Sequence, residues 1–212
     1  MKKILVILIT GLTIVSVGYS SELKGKDYIS TNTGTVYKYK TTDADGKVKF
    51  LINTTIKSCD KDKSMCQYVS ELKDSSGAEV SGSKYEYAYN IKDDGSVYTV
   101  SPVSGTEAEL FPAEIKFGKI NKDQQSVEDR EVTGSTEFKK QIPEINVGGK
   151  SYKDCIELDA NTTIKFKDQV VKTESEEFYC KGVGLVKENI KETHNSDKPM
   201  VYENVLSSIE TK

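Results

Sequence analysis

The sequence predicts an all-β fold, a curved antiparallel sheet or open barrel with at most a short helix. Three observations carry this. Apolar residues recur with a period of two, not 3.6, over most of the chain. Acidic, glycine-ended turns such as Asp43-Ala44-Asp45-Gly46 and Lys92-Asp93-Asp94-Gly95 separate the alternating runs. Twelve tyrosines and no tryptophan fit half-exposed strands. The alternation itself implies one buried and one wet face, the mark of antiparallel pairing.

The chain begins with Met1-Lys2-Lys3, a largely apolar run from Ile4 to Val17, and the small-residue exit Gly18-Tyr19-Ser20. That order is the order of a secretory signal peptide. The run is too short to span a bilayer comfortably. Residues 1–20 are therefore expected to form a cleaved signal helix, with the mature chain starting near Ser21. Residues 21–34 are polar and read as a flexible lead-in. Residues 35–212 are expected to form a single antiparallel β domain.

Within that domain Val36-Tyr37-Lys38-Tyr39-Lys40 alternates, and Lys47 to Lys57 is rich in β-branched residues. Tyr85, Tyr87, Tyr89 and Ile91 share one strand face, and a hairpin leads from them into Ser96–Val100. Ile164 and Phe166 alternate with Lys165 and Lys167 on a later strand. Gly184–Ile190 and Val201–Ile209 read as the last two strands. The stretch 104–150, with Pro102, Pro112 and Pro143 around it, is the least regular and is where a short helix or long loop is expected.

Two segments carry a resemblance. They are Val147-Gly148-Gly149-Lys150-Ser151-Tyr152-Lys153-Asp154-Cys155-Ile156-Glu157 and Glu177-Phe178-Tyr179-Cys180-Lys181-Gly182-Val183-Gly184-Leu185-Val186-Lys187. They resemble an uncharacterised family of exported bacterial β domains, often lipoproteins, whose strands read G-x-x-Y-K-D-V-I and Y-Y-A-K-G-V-G-L-V-K. Phe111–Lys119 is similar to the F-P-L-K-x-G-K segment that precedes them. The chain departs from that pattern at Cys155 and Cys180, where the family has aliphatic residues. The resemblance implies a curved antiparallel sheet, similar to the half-barrels of periplasmic lipoprotein carriers, and supplies no catalytic residues.

Four cysteines allow three connectivities. Cys59 and Cys66 flank the hairpin loop Asp60–Met65, which favours a bridge between them. The resemblance places the strands of Cys155 and Cys180 side by side and so implies the second bridge. Both pairs are expected at Cα separations of roughly 4.4–6.8 Å. A spacing of six residues suits zinc poorly. A catalytic thiol wants a histidine, and His194, the one histidine, lies in a polar stretch that reads as a solvated turn.

Asp60, Asp62, Ser64 and Glu71 fit four positions of a calcium-loop template. Met65 stands where the loop needs glycine, so the segment reads as an exposed hairpin tip. No glycine-rich phosphate loop follows a strand. Loss of Lys2 and Lys3 with the leader moves the formal net charge from −3 to −5, which argues against nucleic-acid binding. Asn53-Thr54-Thr55 and Asn161-Thr162-Thr163 match the glycosylation pattern, but the leader is of bacterial type. Gly182 and Gly184, around Val183, read as a strand bulge or as a close backbone approach by a ligand.

No catalytic residue, cofactor or metal is expected, and no membrane span in the mature chain. The expected function is that of an exported, non-enzymatic domain in the periplasm, outside the cell or at its surface. It would bind an apolar or amphipathic ligand on the concave sheet face, with Tyr85, Tyr87 and Tyr89 lining the pocket. The alternative is an envelope or surface protein-interaction domain; an enzyme using paired carboxylates is third. The expected partners are thus a lipid-like ligand or an envelope protein.

Overall fold

Two six-strand meanders share one antiparallel sheet and meet where the first and last strands pair. The computed structural model describes residues 22–100, 105–127, 130–195 and 197–211. The expected leader, residues 1–20, lies outside the described residues. The strands are β1 Thr35–Asp43, β2 Val48–Cys59, β3 Met65–Asp74, β4 Tyr85–Ile91, β5 Val97–Val100, β6 Glu107–Phe111, β7 Ile120–Val127, β8 Arg130–Val147, β9 Lys150–Phe166, β10 Gln169–Cys180, β11 Gly184–His194 and β12 Met200–Thr211. Their spatial order is β6-β5-β4-β3-β2-β1-β12-β11-β10-β9-β8-β7, and the sheet does not close.

That order forces the sheet to curl. β6 and β7 occupy opposite edges, yet only residues 112–119 join them. Such a connection reaches about 30 Å at full extension. Twelve flat strands at about 4.8 Å spacing would hold their edges about 50 Å apart. The curl brings the end of β6 against β8 and β10, where the Phe111 ring lies 5.9 Å from Phe138 and meets Tyr179 edge-on at 4.9 Å.

Two expectations change here. Residues 104–150 hold β6, β7 and the whole of β8, and residues 137–141 lie inside β8. Where β8 faces inward it uses Gly134 and Thr136, so apolar alternation fades although the ladder continues. The lead-in is not loose throughout. A 3-10 turn at Gly25–Tyr28 buries Tyr28 and Ile29 against Phe111, Ile115, Phe138 and Tyr179. A Cβ at Gly25 would stand 2.4 Å from the Pro112 carbonyl oxygen, so only glycine fits this approach. The turn is tied down by Lys26 N–H donating to Gly95 O at 3.2 Å and Gly182 N–H donating to Asp27 O at 2.7 Å. Composition missed this plug because only a few of its side chains enter the core.

The β8–β9 hairpin outruns the sheet. It bends at a register shift between Phe138 and Lys140. Its outer part brings Ile142, Ile145, Val147 and Tyr152 onto Cys155, Phe178 and Leu206. The tip therefore rests on β12, three strands away from β9. Elsewhere the outer face carries cross-strand ion pairs, among them Lys38–Glu210 at 2.5 Å and Lys187–Glu203 at 2.7 Å. Among the described residues no helix is long and apolar enough to cross a membrane.

Candidate functional site: a tyrosine-lined cavity on the concave face

Cross-strand register assembles the site. Tyr37 stands opposite Thr54, Thr54 opposite Ser70, and Ser70 opposite Tyr85. One row along, Ile56 faces Tyr68 and Tyr68 faces Tyr87. Directly opposed residues share a sheet face, so these rings converge on the concave side. Tyr68 stacks on Tyr87 at 5.2 Å and tilts against Tyr89 at 4.7 Å, while Tyr87 meets Tyr89 edge-on at 5.4 Å.

The other meander supplies the facing wall through Tyr179, Leu185, Glu188 and Asn204. Together they enclose a cavity of about 230 Å³ lined by eight tyrosines. A second hollow of about 470 Å³ shares Tyr85, Tyr87 and Tyr89 and runs on toward Thr99 and Ala108.

Three of the lining hydroxyls donate to named acceptors, whereas the buried Tyr28 Oη has no hydrogen-bond partner among the described residues. Tyr39 Oη donates to Leu185 O at 3.0 Å, and Tyr179 Oη donates to Glu177 Oε2 at 2.7 Å. Tyr68 Oη donates to the Ser30 carbonyl. Burial pushes the Tyr87 hydroxyl up to about 12, with the neighbouring Tyr85 adding to it. Tyr39, Tyr89 and Tyr179 are held well above the usual phenol range for the same first reason. These phenols stay neutral and offer ring surface rather than a base.

One acid stands among them. Glu188 is opposite Asn204 on one side and Glu177 on the other. Asn204 Oδ1 accepts from Thr41 Oγ1 at 3.2 Å, which leaves its amide hydrogens for Glu188. Burial, reinforced by Glu177, lifts the Glu188 carboxyl to about 7, against the Asn204 hydrogen bond. Glu177 accepts from Ser175 Oγ at 2.7 Å and from Tyr179. Among the described residues no lysine, arginine or histidine lines the cavity.

The structure places Tyr85, Tyr87 and Tyr89 on this wall, with Tyr85 the most exposed of the three. Gly182 lies in the β10–β11 turn at φ +72°, and Gly184 opens β11 at φ +98°. The register shift lies just beyond, between Phe178 and Tyr179. Gly184 lines the cavity, and a Cβ there would sit 3.8 Å from Tyr28 O, ordinary contact.

Cys59 is bonded to Cys66 and Cys155 to Cys180. Each Cα pair is 4.0 Å apart, closer than expected, because each is a directly opposed cross-strand pair. Asp60 closes the β2–β3 turn, accepting from Ser64 Oγ at 2.8 Å and Met65 N–H at 3.0 Å. His194 ends β11, exposed and 2.6 Å from Glu192. Among the described residues no three His, Cys, Asp or Glu side chains are grouped to hold a metal.

Glu188, Asn204, Tyr37, Tyr39, Tyr68 and Tyr179 escaped sequence reasoning. A usable signal existed: in Val186-Lys187-Glu188-Asn189-Ile190 the period of two puts Glu188 on the apolar side.

No protein-family model and no curated protein matches the chain. Two solved structures are similar to it. One is a "putative lipoprotein" from Parabacteroides distasonis, with a TM-score of 0.64 and 16% identity over 86% of this chain and 98% of that one. The other is a "putative exported protein with YmcC-like fold" from Bacteroides fragilis, with a TM-score of 0.56 and 15% identity over 87% and 99%. At such identities the likeness is one of fold.

Proposed function

We propose that the chain is an exported, non-enzymatic binding domain that takes an apolar or amphipathic ligand into the concave face of its sheet. The observation that carries this reading is the tyrosine-lined cavity. Tyrosine rings with Ile29, Ile52, Val183 and Leu185 supply apolar surface, and Ser30, Thr54, Ser70, Glu188 and Asn204 supply polar groups, a mixture suited to an amphipathic molecule. Export is supported by the leader sequence and by two disulfides, which persist in oxidising compartments. The exported and lipoprotein descriptions of the two similar structures agree with it. On this reading residues 1–20 are removed and the remainder works as one β domain in the periplasm or at the cell surface.

Acids oppose one another at Asp159, between Glu137 and Glu176, and beside the cavity at Glu177 and Glu188. Both Glu177 oxygens already accept hydroxyl hydrogens, and we assign the pair to binding. A second reading, contact with an envelope protein, is favoured by one feature: β7 is an unpaired edge whose Ile120 is 56% exposed. Native mass spectrometry of protein purified without detergent from its own host tests the ligand reading. Retained mass of a small amphiphile, lost on unfolding, is the expected result; a bare chain that also takes up no added amphiphile would overturn it.

A further inference from the structure

We infer that the ligand's polar head is an organic cation, an ammonium held between Glu188 and the rings of Tyr39 and Tyr179. The inference rests on the reading of the cavity as a ligand site. Three observations carry it. Glu188 lines the cavity with only an amide as partner and no basic side chain beside it. A buried carboxylate without a counter-charge is costly, and an entering cation would offset that cost. Tyr39 and Tyr179 line the cavity close enough to Glu188 to feel its charge, and they donate their hydroxyls to Leu185 O and Glu177 Oε2. A cation over a tyrosine face within about 6 Å of its centre is attracted by the ring quadrupole. Glu177 adds a second negative charge at the same spot, which disfavours an anionic head such as a carboxylate or phosphate.

The groups facing Glu188 are Glu177 on β10, Tyr39 on β1, Tyr179 on β10 and Asn204 on β12. The tyrosines are neutral throughout the working range. The ammonium preference therefore follows the ionisation of Glu188. It is full at pH 8 and falls about tenfold by pH 6, because Glu188 titrates near 7 and a site one unit below its pKa is about nine-tenths protonated.

Calorimetric titration with three probes of equal chain length tests this: octyltrimethylammonium, octanol and octanoate, each as dispersed monomers at pH 8. The ammonium should bind at least tenfold more tightly than octanol, and octanoate most weakly. Glu188→Gln should bring the ammonium down to the octanol value measured on the same variant. Glu174→Gln, which changes an outer-face acid paired with Lys191, should leave the preference intact. Equal binding of ammonium and octanol would overturn the cation assignment but leave the cavity reading standing, and so would a preference that survives Glu188→Gln. Failure of all three probes to bind would overturn the cavity reading and the cation with it.

Discussion

Glu188 stands directly opposite Glu177 across the β10–β11 ladder, both on the concave face, with the cavity above them. The pair adds a pH-dependent contribution to stability. Because burial raises the Glu188 carboxyl from its usual value to about 7, the folded state holds that proton more tightly than the unfolded chain does. The stabilisation is complete below pH 4.5 and is lost as pH rises toward 7. Glu188→Gln should therefore raise the melting temperature at pH 8, by up to about 3 kcal/mol of stability, and change it little at pH 4.5. Melting curves of both proteins at the two pH values check this; an equal gap at both would contradict it.

The hairpin tip offers a second test. Gly148 has φ +58°, and a Cβ there would stand 2.6 Å from the Leu206 carbonyl oxygen. Gly149, at φ +77°, has open space around it. Both alanine variants incur left-handed backbone strain, of about 1 kcal/mol. Gly148→Ala must also lift the tip off β12, at about 1–3 kcal/mol more. Urea unfolding should rank Gly148→Ala clearly below Gly149→Ala.

The strands that alternate Tyr, Val or Ile with charge were legible because a half-buried sheet demands that period. β1, β2, β4, β11 and β12 fall in this group. β7 and the first half of β8 were not, since Asn121, Asp123, Gly134 and Thr136 share one face and Lys122 and Ser135 lie on the other, so neither face is apolar. Their pairing comes from the backbone ladder rather than from apolar burial. The plug at Tyr28 and Ile29 was hidden for another reason: it is long-range, fastened by Gly95 and Gly182 from distant turns. Of the site, the β4 tyrosines were readable as one face. Their junction with Tyr179 and Glu188 was not, because only the curl of the whole sheet brings the two meanders together.

Removing the Cys155–Cys180 bridge by a double alanine change should cost about 3.5 kcal/mol, since it opens a ring of 25 residues in the unfolded chain. The Cys59–Cys66 ring spans 7 residues and should cost less, about 2.5 kcal/mol. Neither cysteine of this bridge lines the cavity, so amphiphile binding should survive its loss. A well-folded double variant that no longer binds would show that the thiols act in function.

Phe111→Ala should destabilise by about 3–5 kcal/mol. The ring is fully buried between Tyr28, Phe138 and Tyr179 and locks the end of β6 to the far meander. Hydrogen exchange should then show earlier opening of residues 24–29, which pack on it, than of β9 and β10. Uniform loss of protection would mean that the plug is not a separate unit.

The occupancy of the concave cavity is the central claim, and tyrosine-ring NMR measures it most directly. With ring-labelled tyrosine and octyltrimethylammonium titrated at pH 8, resonances of Tyr39, Tyr68, Tyr87, Tyr89 and Tyr179 should shift together and saturate at one equivalent. Tyr98 and Tyr202, which do not line that cavity, should stay in place. Shifts confined to Tyr98 and Tyr202, or no saturable shift in any ring, would contradict the account.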